Sequence, residues 1–211
     1  MIKLFRLLFM FLVSWGSSFS QAPLWQWVNP ASSSGIELAH DVAVDPLSGN
    51  VYACGTFDGN LAPVFGGGFL SVGLKDGFVA KYTPAGSLIW SFRIGGLADD
   101  EIKSIACDQS GNFFITGYFK GTVDFNPSIL GVNLLSASGI NTRDGFLAKY
   151  NSSGAFLWAV KFGNTANEEG NKVWAQGSDV FITGYYESAA TFYSTNNVSR
   201  FTAAVQAQAN F

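Results

Sequence analysis

The sequence predicts an all-β protein of β-propeller-type repeats, about three four-stranded antiparallel blades in a partial or truncated propeller. Three observations lead there. Aromatic residues make up 16% of the 211 residues, with 20 Phe and 24 Gly, which favours strands and tight turns over helices. A long segment returns after 67–68 residues. Within each copy, Leu88, Trp90, Phe92 and Ile94 alternate with Ile89, Ser91 and Arg93, and Phe156, Trp158, Val160 and Phe162 do the same. Period two is strand geometry.

The repeat can be read residue by residue. Asp76-Gly-Phe-Val-Ala-Lys-Tyr82 returns as Asp144-Gly-Phe-Leu-Ala-Lys-Tyr150, and Trp90, Arg93, Gly95 and Glu101 return as Trp158, Lys161, Gly163 and Glu169. Phe114-Ile-Thr-Gly-Tyr118 returns as Phe181-Ile-Thr-Gly-Tyr185. An earlier, weaker copy runs through Val42-Ala-Val-Asp45, Ser48-Gly-Asn50 and Cys54-Gly55, matching Ile105-Ala-Cys-Asp108, Ser110-Gly-Asn112 and Thr116-Gly117. The copies cover approximately 24–75, 76–143 and 144–206 of a repeat region at 21–211. The last is degenerate, with Thr202 to Gln208 standing where the Asp-Gly-Phe motif belongs.

Residues 1–20 read as a secretory signal peptide: Lys3 and Arg6, an apolar run from Leu7 to Trp15, then small polar residues, with cleavage after Ser20 or Ala22, Ser20 preferred because Pro23 would otherwise follow the cut. The apolar run is too short to span a bilayer, so the mature chain is expected to carry no membrane span and to be secreted or held at the cell surface. Trp25 to Val28 reads as an outer strand that completes the last blade. Inner strands are expected near 38–44, 102–108 and 170–176. The second blade should have strands near 102–108, 112–119, 144–150 and 155–162. Short turns at 84–86, 109–111, 152–154 and 177–178 fall on one face. The other face takes the long segments 58–75, 120–143 and 187–199 with the connectors 95–101 and 163–169. Three blades are fewer than a closed propeller uses, so a small barrel-like closure and a ring completed between chains remain alternatives to truncation.

Ile105-Ala-Cys-Asp-Gln-Ser-Gly-Asn-Phe-Phe-Ile-Thr-Gly-Tyr118, the Asp144-Gly-Phe motif and Phe156-Leu-Trp-Ala-Val-Lys-Phe-Gly163 together resemble the SBBP-type β-propeller repeat of secreted bacterial proteins. Phe119 to Pro127 resembles a segment of such repeats from Bacteroidetes-like bacteria. The resemblance covers nearly all of 24–206. It implies architecture and export, and it carries no catalytic motif.

The net charge of −3 and the lack of a Lys/Arg cluster argue against a nucleic-acid partner. On the long-loop face, Asp99, Asp100 and Glu101, their counterparts Asn167, Glu168 and Glu169, and Asp124 and Asn126 are the candidate binding residues. They offer oxygens that a Ca²⁺ ion accepts, with Asp99, Asp100 and Glu101 as the candidate set, although their spacing matches no EF-hand. The alternative is a solvated acidic surface. Paired carboxylates also serve glycan hydrolases, but a repeated pair is unlike a single catalytic site. His40, the one histidine, lacks partners for a triad or a zinc site and is expected to pair with Asp41 at the surface. Trp90 and Trp158 are expected in the core; Trp174, which replaces Ala106, is the tryptophan to look for in the open. Arg93 and Lys161 are expected to face solvent. Cys54 and Cys107 are either a disulfide or two small buried hydrophobes. The expected function is an exported, non-catalytic module whose long-loop face binds protein or polysaccharide, with self-association through open blade edges. A glycan hydrolase or lyase and a remnant of a longer protein are the alternatives.

Overall fold

The structure, a computed structural model, describes residues 27, 35–61, 68–187, 191–192 and 201–207. The expected signal peptide lies outside them, as do Trp25, Gln26 and Val28 of the expected outer strand; Trp27 is in no strand, and it packs on the first sheet rather than completing the last blade. Alternating apolar residues and Gly-containing turns build the first sheet from β1 (Glu37–Val44), β2 (Val51–Asn60), β3 (Leu70–Tyr82) and β4 (Leu88–Ile94), antiparallel and in chain order. Next come β5 (Glu101–Cys107), β6 (Phe113–Lys120), the short hairpin β7 (Thr122–Asp124) and β8 (Leu134–Ser136), β9 (Arg143–Tyr150) and β10 (Phe156–Gly163). The second sheet has the order β5-β6-β9-β10, and its bounds lie within a residue of those expected from the repeat.

β11 (Glu168–Gln176) and β12 (Asp179–Tyr186) open the third sheet as an antiparallel pair. β13 (Thr191–Phe192) joins the edge of the second sheet at β10. β14 (Phe201–Ala207) completes the third, but it runs parallel to β12, with Val180 opposite Phe201. This sheet therefore departs from the four-stranded antiparallel pattern. β3 and β9 carry a buried aspartate, and β14 has none. No helix occurs among the described residues, and none there is long and apolar enough to cross a membrane.

The sheets stack through side chains from both faces. Tyr52, Cys54, Val79 and Phe92 of the first meet Ile105, Phe113, Ile115 and Ala148 of the second. From the opposite face of the second, Phe114, Leu147 and Val160 meet Val173, Val180 and Ile182 of the third. Phe113 stacks on Tyr150 at 5.3 Å and 14°. The outer face of the first sheet buries Phe57, Phe78, Ala80 and Tyr82, with Trp27 packed against them. Trp27 Nε1 also donates to Pro84 O at 3.1 Å. A sheet that is apolar on both faces cannot stand alone in water, so packing makes the three one unit.

Each inner strand carries a β-bulge at the same place: Ala39/Asp41 in β1, Ile102/Ser104 in β5 and Gly170/Lys172 in β11. The bulge brings the inner backbone onto the neighbouring strand. A Cβ on Gly55, Gly117 or Gly184 would collide with the carbonyl of Leu38, Glu101 or Glu169 respectively. This close approach explains the repeated glycine. The residue after each bulge reaches toward other sheets. Asp41 Oδ2 accepts the Ser104 hydroxyl at 2.7 Å and the Ile105 N–H at 3.0 Å. Ser104 Oγ in turn accepts the Val173 N–H at 3.1 Å. Lys172 has no lone pair to offer; its Nζ turns back to Asp41 at 2.7 Å. Asp41 thus touches all three sheets.

Candidate functional site

The long-loop face is held from beneath by buried carboxylates. Asp76, midway along β3, and Asp144, at the start of β9, are fully buried. Asp76 Oδ2 accepts the Val72 N–H at 2.9 Å and Arg93 Nη1 at 2.6 Å. Asp144 Oδ2 accepts the Ser138 N–H and hydroxyl at 3.1 and 2.8 Å, and Lys161 Nζ at 3.1 Å. The expectation that Arg93 and Lys161 simply face solvent is corrected: each is the counter-ion of a carboxylate that has lost its water. The signal lay in the joint repetition, since acid and base stand 17 residues apart in both copies.

Asp100 and Glu168 brace the connectors between sheets. Asp100 Oδ2 accepts the Gly96 N–H at 2.7 Å, and Oδ1 accepts the Lys120 N–H at 3.0 Å. Glu168 Oε2 accepts the Asn164 N–H at 3.1 Å, the same bond one repeat later. Burial pushes the Asp100 carboxyl up to about 7, and the charges of Asp76 and Asp99 act in the same direction. Burial likewise raises Glu168, against its hydrogen bond from Asn164.

The other expected residues are distributed around these braces. Asp99 lies 3.5 Å from Lys120 Nζ. Glu101 pairs across strands with Tyr118. Glu169 bridges Lys103 at 2.7 Å and Arg143 at 3.1 Å, tying the third sheet to the second. Asn167 Oδ1 accepts the Arg143 N–H at 3.3 Å, and Nδ2 donates to Glu187 Oε2 at 2.9 Å. Asp124 Oδ1 accepts the N–H groups of Asn126 and Asn133, and Asn126 Oδ1 accepts that of Ser128. Trp174 is 56% exposed on β11, 5.7 Å from Phe181. Asp99, Asp100 and Glu101 do not converge, and no cluster of three or more His, Cys, Asp or Glu side chains forms an ion site among the described residues. His40 Nε2 lies 3.1 Å from Thr56 Oγ1, so its partner is Thr56 and not Asp41. Cys54 is buried and Cys107 half-buried, both free. Burial pushes the Cys107 thiol up to about 12, with Asp45 and Asp108 adding to the effect.

The segment 120–143 is a strap with an apolar tip. Val123 and Phe125 turn inward, Phe125 packs on Phe146 at 4.8 Å, and the Tyr150 hydroxyl donates to Phe125 O at 2.6 Å. Beyond that anchor Ile129 is 99% exposed, Leu130 93%, Val132 73% and Ile140 93%; Leu97, on the 95–100 connector, is 83% exposed. Gly73 of β3 lies against the Leu97 backbone, and Gly96 against Thr122 of β7, so strand, connector and strap are adjacent. These apolar residues were absent from the expected set. Their signal was an apolar run, Ile129-Leu130-Gly131-Val132, inside a segment opened by Asn126-Pro127-Ser128.

Stacked sheets, an inner-to-outer strand order and a face of braced connectors define an all-β, β-propeller-type repeat protein. In line with this, the chain is similar to an uncharacterised WD repeat-containing protein of Acanthamoeba polyphaga mimivirus, 30% identical over 166 residues. The match takes in 74% of this chain and 12% of the relative's length. No family model matches the chain.

Proposed function

We propose that the chain is a non-catalytic interaction module that docks a protein partner on its long-loop face. The observation that carries this is the set of exposed Ile129, Leu130, Val132 and Ile140 side chains on a strap anchored by Val123 and Phe125, with exposed Leu97 on the adjacent connector. Exposed apolar side chains on a fixed scaffold gain free energy when a partner covers them. The similarity to a WD repeat-containing protein supports the same reading, because WD repeat domains in general serve as protein-interaction scaffolds. Asp99, Asp100, Glu101, Asn167, Glu168, Glu169, Asp124 and Asn126 then act as braces and rim.

The test is Ile129→Ser with Leu130→Ser, compared with the unaltered chain in cross-linking from the native extract. A partner should be captured by the unaltered chain and lost at least ten-fold in the variant, with the melting temperature unchanged. Equal capture by both removes the strap from the reading. Export, and the assignment to the SBBP type, belong to this proposal and rest on residues 1–20 and on the repeated motifs. Sequencing the amino terminus of the protein recovered from both medium and cells should give Gln21 first, in the medium; a product confined to the cells with Met1 intact would overturn export.

A further inference from the structure

A separate cleft of about 510 Å³ opens beside the strap, between β4 of the first sheet and β10 of the second. Trp90, Phe92 and Phe156 form its apolar wall; Asn126, Ser128 and Ser153 line it with polar groups. None of its lining side chains is charged. Trp90 and Phe92 stack at 5.6 Å and 16°, and Trp90 lies against Gly154, so the wall is fixed before anything binds. The polar groups are also oriented. Ser128 Oγ accepts the Leu130 N–H at 3.3 Å, which leaves its own proton to donate. Ser153 Oγ gives its proton to Asn151 Oδ1 at 2.7 Å, which leaves its lone pairs to accept.

We infer that this cleft is a binding site for a short neutral saccharide. Volume, wall and polar groups fit that class. The space suits a small ligand. A pyranose ring presents apolar C–H faces to aromatic side chains, and its hydroxyls both donate and accept, matching the Ser128 donor and the Ser153 acceptor. An anionic or cationic ligand would find no counter-charge in the lining. A proline-rich peptide presents carbonyl acceptors almost alone and would leave Ser153 without a donor.

The experiment titrates the full chain with maltose, cellobiose and chitobiose, read by calorimetry and by tryptophan fluorescence. Half-saturation is expected on the order of 1 mM for at least one of them. Ala155→Arg, which puts bulk and charge at the cleft, should abolish the signal, and Ser128→Ala should weaken it several-fold. The variant Ile129→Ser with Leu130→Ser should bind as the unaltered chain does, which separates this site from the protein-docking tip. No response to any of the sugars up to tens of millimolar overturns the inference. So does a response that survives both Ala155→Arg and Ser128→Ala, or saturation by a proline-rich peptide in place of sugar.

Discussion

Arg93 and Lys161 matter because of the aspartates they face. Asp76 Oδ2 and Asp144 Oδ2 are paired, whereas Oδ1 of each is buried with no hydrogen-bond partner, as is Glu168 Oε1. Removing the cation would leave a carboxylate stranded in a dry site. Arg93→Met should cost about 2–4 kcal/mol in chemical denaturation, somewhat less than the roughly 3–5 kcal/mol of a fully buried broken pair because the guanidinium is partly in water. Arg93→Lys should recover part of that loss, and a neutral result would show that Asp76 does not depend on its partner. Asp100 sets a pH dependence. Its folded pKa of about 7 lies above its ordinary 3.8, so the protonated form is the one the fold favours. That stabilisation is complete below about pH 4 and is lost as the pH rises through 7, on the order of 2–4 kcal/mol. Asp41 and Asp108 act in the opposite sense. Burial alone would raise them, but their hydrogen bonds to Lys172 and Ser104, and to Asn112 and Lys149, outweigh it and hold them low. Their contribution disappears only below about pH 3.8. The melting temperature should therefore be higher at pH 5 than at pH 8, and Asp100→Asn should flatten the slope while lowering the value at pH 5.

Among the elements, the strands that the period-two pattern marked are where it placed them, because a one-residue slip would exchange the side chains that fill one packed interface with those that fill the other. β5, β6, β9 and β10 are the clearest case. The bulges were not legible: one extra residue leaves the alternation intact on either side of it, and the only trace was the repeated glycine at 55, 117 and 184. β7 and β8 were not legible either, since three residues apiece show no period and what fixes them is the burial of Val123 and Phe125. The parallel course of β14 is set by pairing with β12, for which a strand's own residues carry no direction. Of the candidate site, the acids were visible as a repeated cluster, but their roles depended on burial that composition does not report. Gly117→Ala should force the β5 bulge away from β6 and cost at least about 2 kcal/mol, read as a lower denaturant midpoint. An unchanged midpoint would mean that the bulge can relax freely.

At the scale of the molecule, three sheets share two aromatic interfaces, and none of them covers its own faces. Unfolding should be a single cooperative event. Phe113→Ala, in the middle of the first interface, should cost about 3–5 kcal/mol, and far-ultraviolet dichroism and tryptophan fluorescence should still fall together. Two separate transitions would show that the third sheet folds independently.

The turn of Lys172 toward Asp41 has a consequence for lengthening the stack. Sheet passes to sheet by a relay, in which each inner strand lends an oxygen to a backbone amide of its successor: Asp41 to Ile105, Ser104 to Val173. An ammonium group breaks that relay, because it can only give protons and never take one. Grafting a copy of residues 101–163 behind the third sheet should thus fail with lysine at this position and succeed once Lys172 is exchanged for serine.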